Sequence, residues 1–139
     1  KGKSRRGPSF REAILMHSVS RIAFKGLINN IQTSWVKMGQ EGVQACLNAG
    51  ANDIGGTLMN ESITRAAGAD HGQEWHPQGI EETIISMGRI PKMRTTSYDE
   101  APQSRRELAF RASTLTQIEN TAAAKLQRSK KLDNIAQVL

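Results

Sequence analysis

Cysteine is almost absent from this sequence. The one thiol among its 139 residues, Cys46, has no partner for an internal disulfide and cannot by itself ligate zinc or an iron–sulfur cluster. Aromatic residues are scarce at 4% and hydrophobic residues reach only 37%, so a chain sized as one domain has to work with a modest core. No run of 18 apolar residues occurs, which excludes a membrane-spanning helix. The opening KGKSRRGPSF has no apolar segment behind its charges and does not read as a secretory signal. A soluble, cytoplasmic protein without a membrane partner is expected. The chain also starts without methionine and runs directly into a helix signal, as a piece from the middle of something larger would.

The net charge of +6 invites a nucleic-acid reading, but its location argues against one. Residues 1–8 contribute +4, residues 9–100 contribute −2 and residues 101–139 contribute +4. The excess sits in the two tails, without a basic stripe carrying interleaved aromatics, so nucleic acid is not an expected partner.

What the sequence does have is an alternation of helical and extended signals. SFREAILMHSVSRIAFKG opens with Ser9 and Glu12 at capping-box spacing and repeats Ile14, Leu15, Val19, Ile22 and Ala23 at helical intervals up to Gly26. A β-prone stretch over 31–36 predicts a strand. QEGVQACLNAG predicts a short helix ending at Gly50, with Val43, Cys46 and Leu47 on one face, where Cys46 is buried as a small hydrophobe. NDIGGTL predicts a second strand, and NESITRAAG a helical piece with Asn60 as cap and Gly68 as stop. HPQGIEETIISMGR places Pro77 in a first turn and Ile80, Ile84 and Met87 on one face of a further helix; IPKMRTTSY then reads as extended.

Helix, strand, helix, strand, helix is the pattern of parallel β/α units, an α/β fold in which buried strands deliver ligand-binding residues at their carboxyl ends. Two strands cannot close a barrel. Residues suited to a site nevertheless fall at those ends: Gln32, Ser34 and Trp35 at the end of the first strand, and Thr57, Met59, Asn60 and Glu61 at the end of the second. Helix capping is the alternative for Ser34 and Asn60. The pair Gly55-Gly56 is out of place inside a strand unless something approaches its backbone closely. His71, Glu74 and His76 lack the i, i+4 histidine spacing of a helical zinc site, so no metal site is expected there.

FREAILMHSVSRIAFKGLINNIQTSWVKMG, GANDIGGTLMNESITRAAGADHGQEWHP and GRIPKMRTTSY together resemble the end of the barrel in the second, tyrosine-using half of the FO synthase family, over about residues 9–98. The resemblance implies a radical S-adenosylmethionine enzyme of deazaflavin biosynthesis with a partial TIM barrel. It implies a transferase reaction that joins the 4-hydroxybenzyl part of tyrosine to 5-amino-6-(D-ribitylamino)uracil. Residues 1–98 then form the last β/α units of that barrel, and 99–139 a helical or partly disordered tail. Enzymes of the futalosine route to menaquinone share a looser version of the central motif.

The family holds a 4Fe-4S cluster on a CxxxCxxC triplet, and no such triplet occurs here. The chain alone is therefore expected to be inert, with the rest of the barrel as its partner. By the resemblance, Gly55 and Gly56 admit the cofactor's adenosine or the substrate, and backbone groups near Leu58 and Met59 offer it hydrogen bonds. Gln32, Ser34, Trp35, Asn52, Asp53, Thr57, Glu61 and His71 are then substrate-binding residues. Asp53 has an equal alternative as a salt-bridge or turn residue, and His71 as a simple hydrogen-bonding residue rather than a proton carrier. A noncatalytic α/β binding protein remains the reading from another class, favoured by the missing cysteines and the basic tails.

Overall fold

The computed structural model describes residues 7–57, 61–66, 68–69 and 71–116. Five helices appear among them: α1 (Phe10–Ala23), α2 (Trp35–Asn48), α3 (Ile63–Ala66), α4 (Pro77–Ser86) and α5 (Gln103–Arg111). α1 begins as its sequence dictates. The Ser9 side chain accepts from the Glu12 amide and the Glu12 carboxylate accepts from the Ser9 amide, which closes the capping box. α4 starts with Pro77 in its first turn behind His76, whose Nδ1 accepts from the Gln78 amide.

The core gathers on α2 and the segment that follows it. Trp35, Val36, Val43, Cys46, Leu47, Ala51 and Ile54 are buried together, with Ile14 of α1 and Ile80, Ile84 and Met87 of the α4 region packed against them. Cys46 is a free, fully buried thiol inside this cluster, and the predicted face of Val43, Cys46 and Leu47 is the face that points inward. Each such side chain contributes about 1.5–3 kcal/mol over its exposed state. α1 crosses α2 where side chains are small: a Cβ on Gly42 would lie 3.4 Å from the Phe10 ring, and one on Gly50 would lie 2.8 Å from Arg21 Cβ.

Two expectations are corrected. First, the described residues are mostly helical, and the two predicted strands survive only as an isolated parallel bridge between Gln32 and Asp53. Its hydrogen bonds run from Thr33 N–H to the Asp53 oxygen (2.8 Å) and from Asn52 N–H to the Ile31 oxygen (3.0 Å). Neither segment can extend the ladder, because the chain turns into α2 after Ser34 and leaves the β region at Gly55, where φ is 81°. Second, Trp35 and Val36, predicted in a strand, form the first turn of α2. That helix continues across a kink at Gly39 (φ 67°), so a position only glycine adopts easily separates its two halves. The apolar stripe of α1 faces outward. Leu15, Val19 and Ile22 are 50%, 55% and 76% exposed, while Ile14 meets the core and Arg21 meets Gly50 on the other side.

The C-terminal part is tied to the rest. Arg106 of α5 donates to both carboxylate oxygens of Glu81 on α4 at 2.8 Å and lies 4.6 Å from the centre of the Phe110 ring. Among the described residues, no helix is long and apolar enough to cross a membrane.

Candidate functional site

The parallel bridge fixes which side chains face out. In the first segment Gln32 and Ser34 are exposed, while Thr33 between them is fully buried with its hydroxyl unpartnered. In the second, Asp53 and Ile54 turn inward and the chain emerges at Gly56 and Thr57, both exposed. The two exits lie side by side. A Cβ on Gly55 would stand 2.8 Å from the Gln32 amide nitrogen, so the close approach expected at the glycine pair is made, in part, by Gln32 itself. Gly56 is different: no described residue lies within 4 Å of the place its Cβ would take. Its carbonyl oxygen accepts the Trp35 indole N–H at 3.0 Å, and Trp35 in turn meets the edge of Trp75 at 6.1 Å between ring centres. The open surface at Gly56 thus stands on a rigid aromatic base.

Two arginines that the sequence reading passed over hold this arrangement. Arg21 donates from Nε to the Gly50 oxygen (2.7 Å), from Nη1 to the Asn29 oxygen (2.9 Å) and from Nη2 to the Asn52 side-chain oxygen (2.6 Å). Asn52 also accepts from the Ile31 amide and donates to the Asn29 oxygen, so its side chain is engaged in stitching the two segments together. Arg94 Nε donates to Asp53 Oδ2 at 2.5 Å, and Asp53 Oδ1 accepts from the Gly55 amide at 2.7 Å. The bond to Asp53 raises the pKa of Arg94 above its ordinary value, against the opposing effect of desolvation. Both alternatives weighed for Asp53, an ion pair and a turn bond, are present at once. The sequence carried one signal for Arg21, its position seven residues after Ile14 on the same side of α1; Arg94 carried none, since its partner is 41 residues away.

On the other side of Trp35 the first turn of α2 meets Glu61 and His71. Glu61 accepts from the Ile63 amide (3.0 Å) and the Thr64 amide (3.2 Å), which caps the short α3. Desolvation acts to raise the pKa of this carboxyl, but the amides of Thr64 and Ile63, the Thr64 hydroxyl and the Lys37 charge outweigh it and hold the group below its ordinary value. Lys37 itself donates to the Thr64 hydroxyl at 2.8 Å. The His71 imidazole covers the Gly39 kink, 3.5 Å from where a Cβ would be, and Gly72 sits against Val36 and the Glu61 carboxylate.

The neighbouring polar residues of HGQEWH serve the fold. Glu74 accepts from the Leu115 amide, and His76 links the start of α4 to the Ala112 oxygen at 3.1 Å. A neutral ring with its proton on Nε2 satisfies both contacts, since Nδ1 must accept from Gln78 while a carbonyl can only accept. Leu58, Met59 and Asn60 lie outside the described residues.

The family described as the CofH/MqnC C-terminal region matches residues 3–107. Three curated relatives carry the name 5-amino-6-(D-ribitylamino)uracil--L-tyrosine 4-hydroxyphenyl transferase, the one from Methanosarcina mazei with the suffix 1. The protein of Methanocaldococcus jannaschii is 53% identical over 97 residues, 70% of this chain and 27% of its own length. That of Archaeoglobus fulgidus is 48% identical over 98 residues, 70% of this chain and 29% of its length. That of Methanosarcina mazei is 51% identical over 102 residues, 73% of this chain and 26% of its length. The chain thus spans roughly a quarter of the relatives it resembles. No solved structure matches it. With the family match covering most of its length, the chain belongs to the CofH/MqnC family, in that family's C-terminal region.

Proposed function

We propose that this chain is the C-terminal portion of a radical S-adenosylmethionine transferase that joins the 4-hydroxybenzyl group of tyrosine to 5-amino-6-(D-ribitylamino)uracil. The identity of about half the aligned residues, over 70% of the chain, to relatives named for those two substrates carries the reading. By this reading residues 1–98 belong to the last units of a partial TIM barrel and 99–139 to an extension beyond it, whose residues 117–139 lie outside the described residues. The parallel direction of the bridge at Gln32 and Asp53 supports a barrel edge, and the outward apolar stripe of α1 supports further chain packing against it. The names of these relatives favour the tyrosine transferase over the futalosine-route enzymes.

The cluster does not fit this part of the protein. Cys46 is the only cysteine and lies fully buried in an apolar cluster, so no residue here ligates iron. The small-molecule side fits better: Gly56 offers backbone that no described residue covers, and Gln32, Ser34 and Thr57 are exposed. When bound, the cofactor supplies the 5′-deoxyadenosyl radical that begins the reaction. The residues of this chain bind and orient. Gln32, Ser34 and Thr57 pair with hydroxyl, amine and carbonyl groups of the ligand, since a polar substrate needs each buried group satisfied. Glu61 and His71, beside the first turn of α2, extend the polar wall, while Trp35, Asn52 and Asp53 hold the wall in shape.

The test uses the complete enzyme, anaerobic and reduced, with S-adenosylmethionine, tyrosine and the ribitylaminouracil. Formation of 5′-deoxyadenosine together with the coupled product is the expected result. Cofactor cleavage without coupling, or turnover only with a futalosine-route substrate, overturns the assignment.

A further inference from the structure

The Gly55–Gly56 turn is held by a chain of contacts that begins outside the predicted site. Asp53 Oδ1 accepts from the Gly55 amide at 2.7 Å, which makes Asp53 the residue that shapes the turn. A neutral Asn or Ser would serve an ordinary turn of this kind. Here the side chain is a carboxylate only 7% exposed, and a charge so placed is costly unless it is paired. The pairing comes from Arg94, which reaches Oδ2 from an extended segment 41 residues later.

Arg94 is itself fixed on two sides. Its Nη1 donates to the Thr95 oxygen at 3.0 Å, and its guanidinium carbon lies 4.3 Å from the centre of the Tyr98 ring. Tyr98 has φ 68°, the one positive value of a non-glycine residue among those described, and such a conformation persists where the surroundings over-determine it. The hairpin that carries Arg94 closes through the Thr95 amide on the Asp99 oxygen and the bridge between Arg94 and Glu100. Both partners of the ion pair are therefore anchored, and the geometry it transmits is single-valued.

We infer that Arg94 is a positioning residue for the ligand surface: by clamping Asp53 it fixes the Gly55 amide, and with it the direction in which Gly56 presents its open face. The inference rests on the reading of Gly56 as part of that surface. It predicts that Arg94 governs affinity while never touching the ligand, because its guanidinium is occupied by Asp53, Thr95 and Tyr98.

The experiment compares Arg94→Gln, Arg94→Lys, Gly56→Val and Arg106→Gln in the complete enzyme. Arg106→Gln is the control, since it removes an ion pair of the same kind between α4 and α5. Equilibrium binding is measured separately for S-adenosylmethionine, tyrosine and the ribitylaminouracil, together with hydrogen exchange at the Gly55 amide and steady-state KM and kcat. The expected result is that Arg94→Gln weakens the same probe that Gly56→Val weakens, by about tenfold or more, speeds exchange at Gly55 and raises KM with little change in kcat. Arg94→Lys, which keeps a positive charge beside Asp53 and so preserves the fold but lacks the guanidinium geometry, recovers only part of the affinity, between Arg94→Gln and wild type. If Arg94→Gln does not fold, the lysine variant carries the test through faster Gly55 exchange and an intermediate affinity. Loss of binding in Gly56→Val with all three probes within twofold of wild type in the Arg94 variants overturns the positioning role alone. An equal loss in Arg106→Gln overturns it too, as general destabilisation. Normal binding in Gly56→Val overturns the ligand surface on which the inference stands.

Discussion

The Trp35 indole N–H donates to the Gly56 carbonyl oxygen across 21 residues of sequence, tying the first turn of α2 to the second residue of the glycine pair. Gly55 and Gly56 consequently do different work. Gly55 takes φ 81° with the Gln32 amide against it, whereas at Gly56 no described residue occupies the place a side chain would take. Gly55→Val is expected to cost about 1–3 kcal/mol in strain and to lower the melting temperature of the complete enzyme. Gly56→Val leaves the melting temperature in place and removes ligand affinity. Thermal unfolding and equilibrium binding on the two variants check this; a reversed pattern would show that the glycines were assigned the wrong roles.

Asn52 is expected to act on the fold first. Its side-chain oxygen accepts from both Arg21 and the Ile31 amide, so Asn52→Ala leaves two donors without their acceptor. A loss of about 1–2 kcal/mol follows if solvent replaces the bonds only in part. Denaturant unfolding measures it, and Arg21→Ala should show a non-additive loss with Asn52→Ala because the two share one bond. Additive losses would separate the two residues.

Much of the helical framework was legible because its signals are local. Ser9 and Glu12 are three residues apart, Pro77 follows its cap directly, and Val43, Cys46 and Leu47 share a face by spacing alone. The start of α2 was not, since IQTSWV is β-prone in isolation and Trp35 and Val36 are recruited into a helix by contacts with Gly56 and Gly72. The stripe of Leu15, Val19 and Ile22 was read correctly as a periodic apolar face, but periodicity does not say which partner covers it. Arg21 and Arg94 escaped notice because their meaning depends on partners 29 to 41 residues distant. At the candidate site, residue types were legible where they face outward, as with Gln32, Ser34 and Thr57, while the division between ligand contact and internal support was a matter of tertiary pairing.

Glu61 gives a pH dependence with a definite sign. Its folded pKa lies below the ordinary value, so ionised Glu61 supports the α3 cap above the unfolded glutamate value, roughly pH 4.3, and the support is lost as pH falls through the folded value. Hydrogen exchange at the Ile63 and Thr64 amides should therefore be slower in wild type than in Glu61→Gln at pH 7, after correction for intrinsic rates. The difference should close as pH falls through the folded value, below the ordinary glutamate range. A difference that persists or grows in acid would mean that the cap does not depend on the charge.

The outward stripe of α1 leads to the last prediction. Leu15, Val19 and Ile22 lie four and three residues apart, one beside the next on the helix, and Met16, Leu27 and Ile28 are also exposed. An apolar surface of this kind is rarely left open to water by a monomer, and the match covers only 27% of the length of the Methanocaldococcus jannaschii relative. Produced by itself, the 139-residue chain should self-associate through α1. Val19→Glu with Ile22→Lys should return it toward a 15.3 kDa monomer, because the charges disfavour burial while the two positions touch none of the core contacts of Ile14. In the complete enzyme the same double substitution should have the opposite effect and destabilise the protein by several kcal/mol, since the stripe is then covered and the charges are forced inside. Sedimentation of the fragment and thermal unfolding of the complete enzyme read the two halves. A monomeric wild-type fragment, or a complete enzyme indifferent to the substitutions, would show that α1 faces solvent in the whole protein as well.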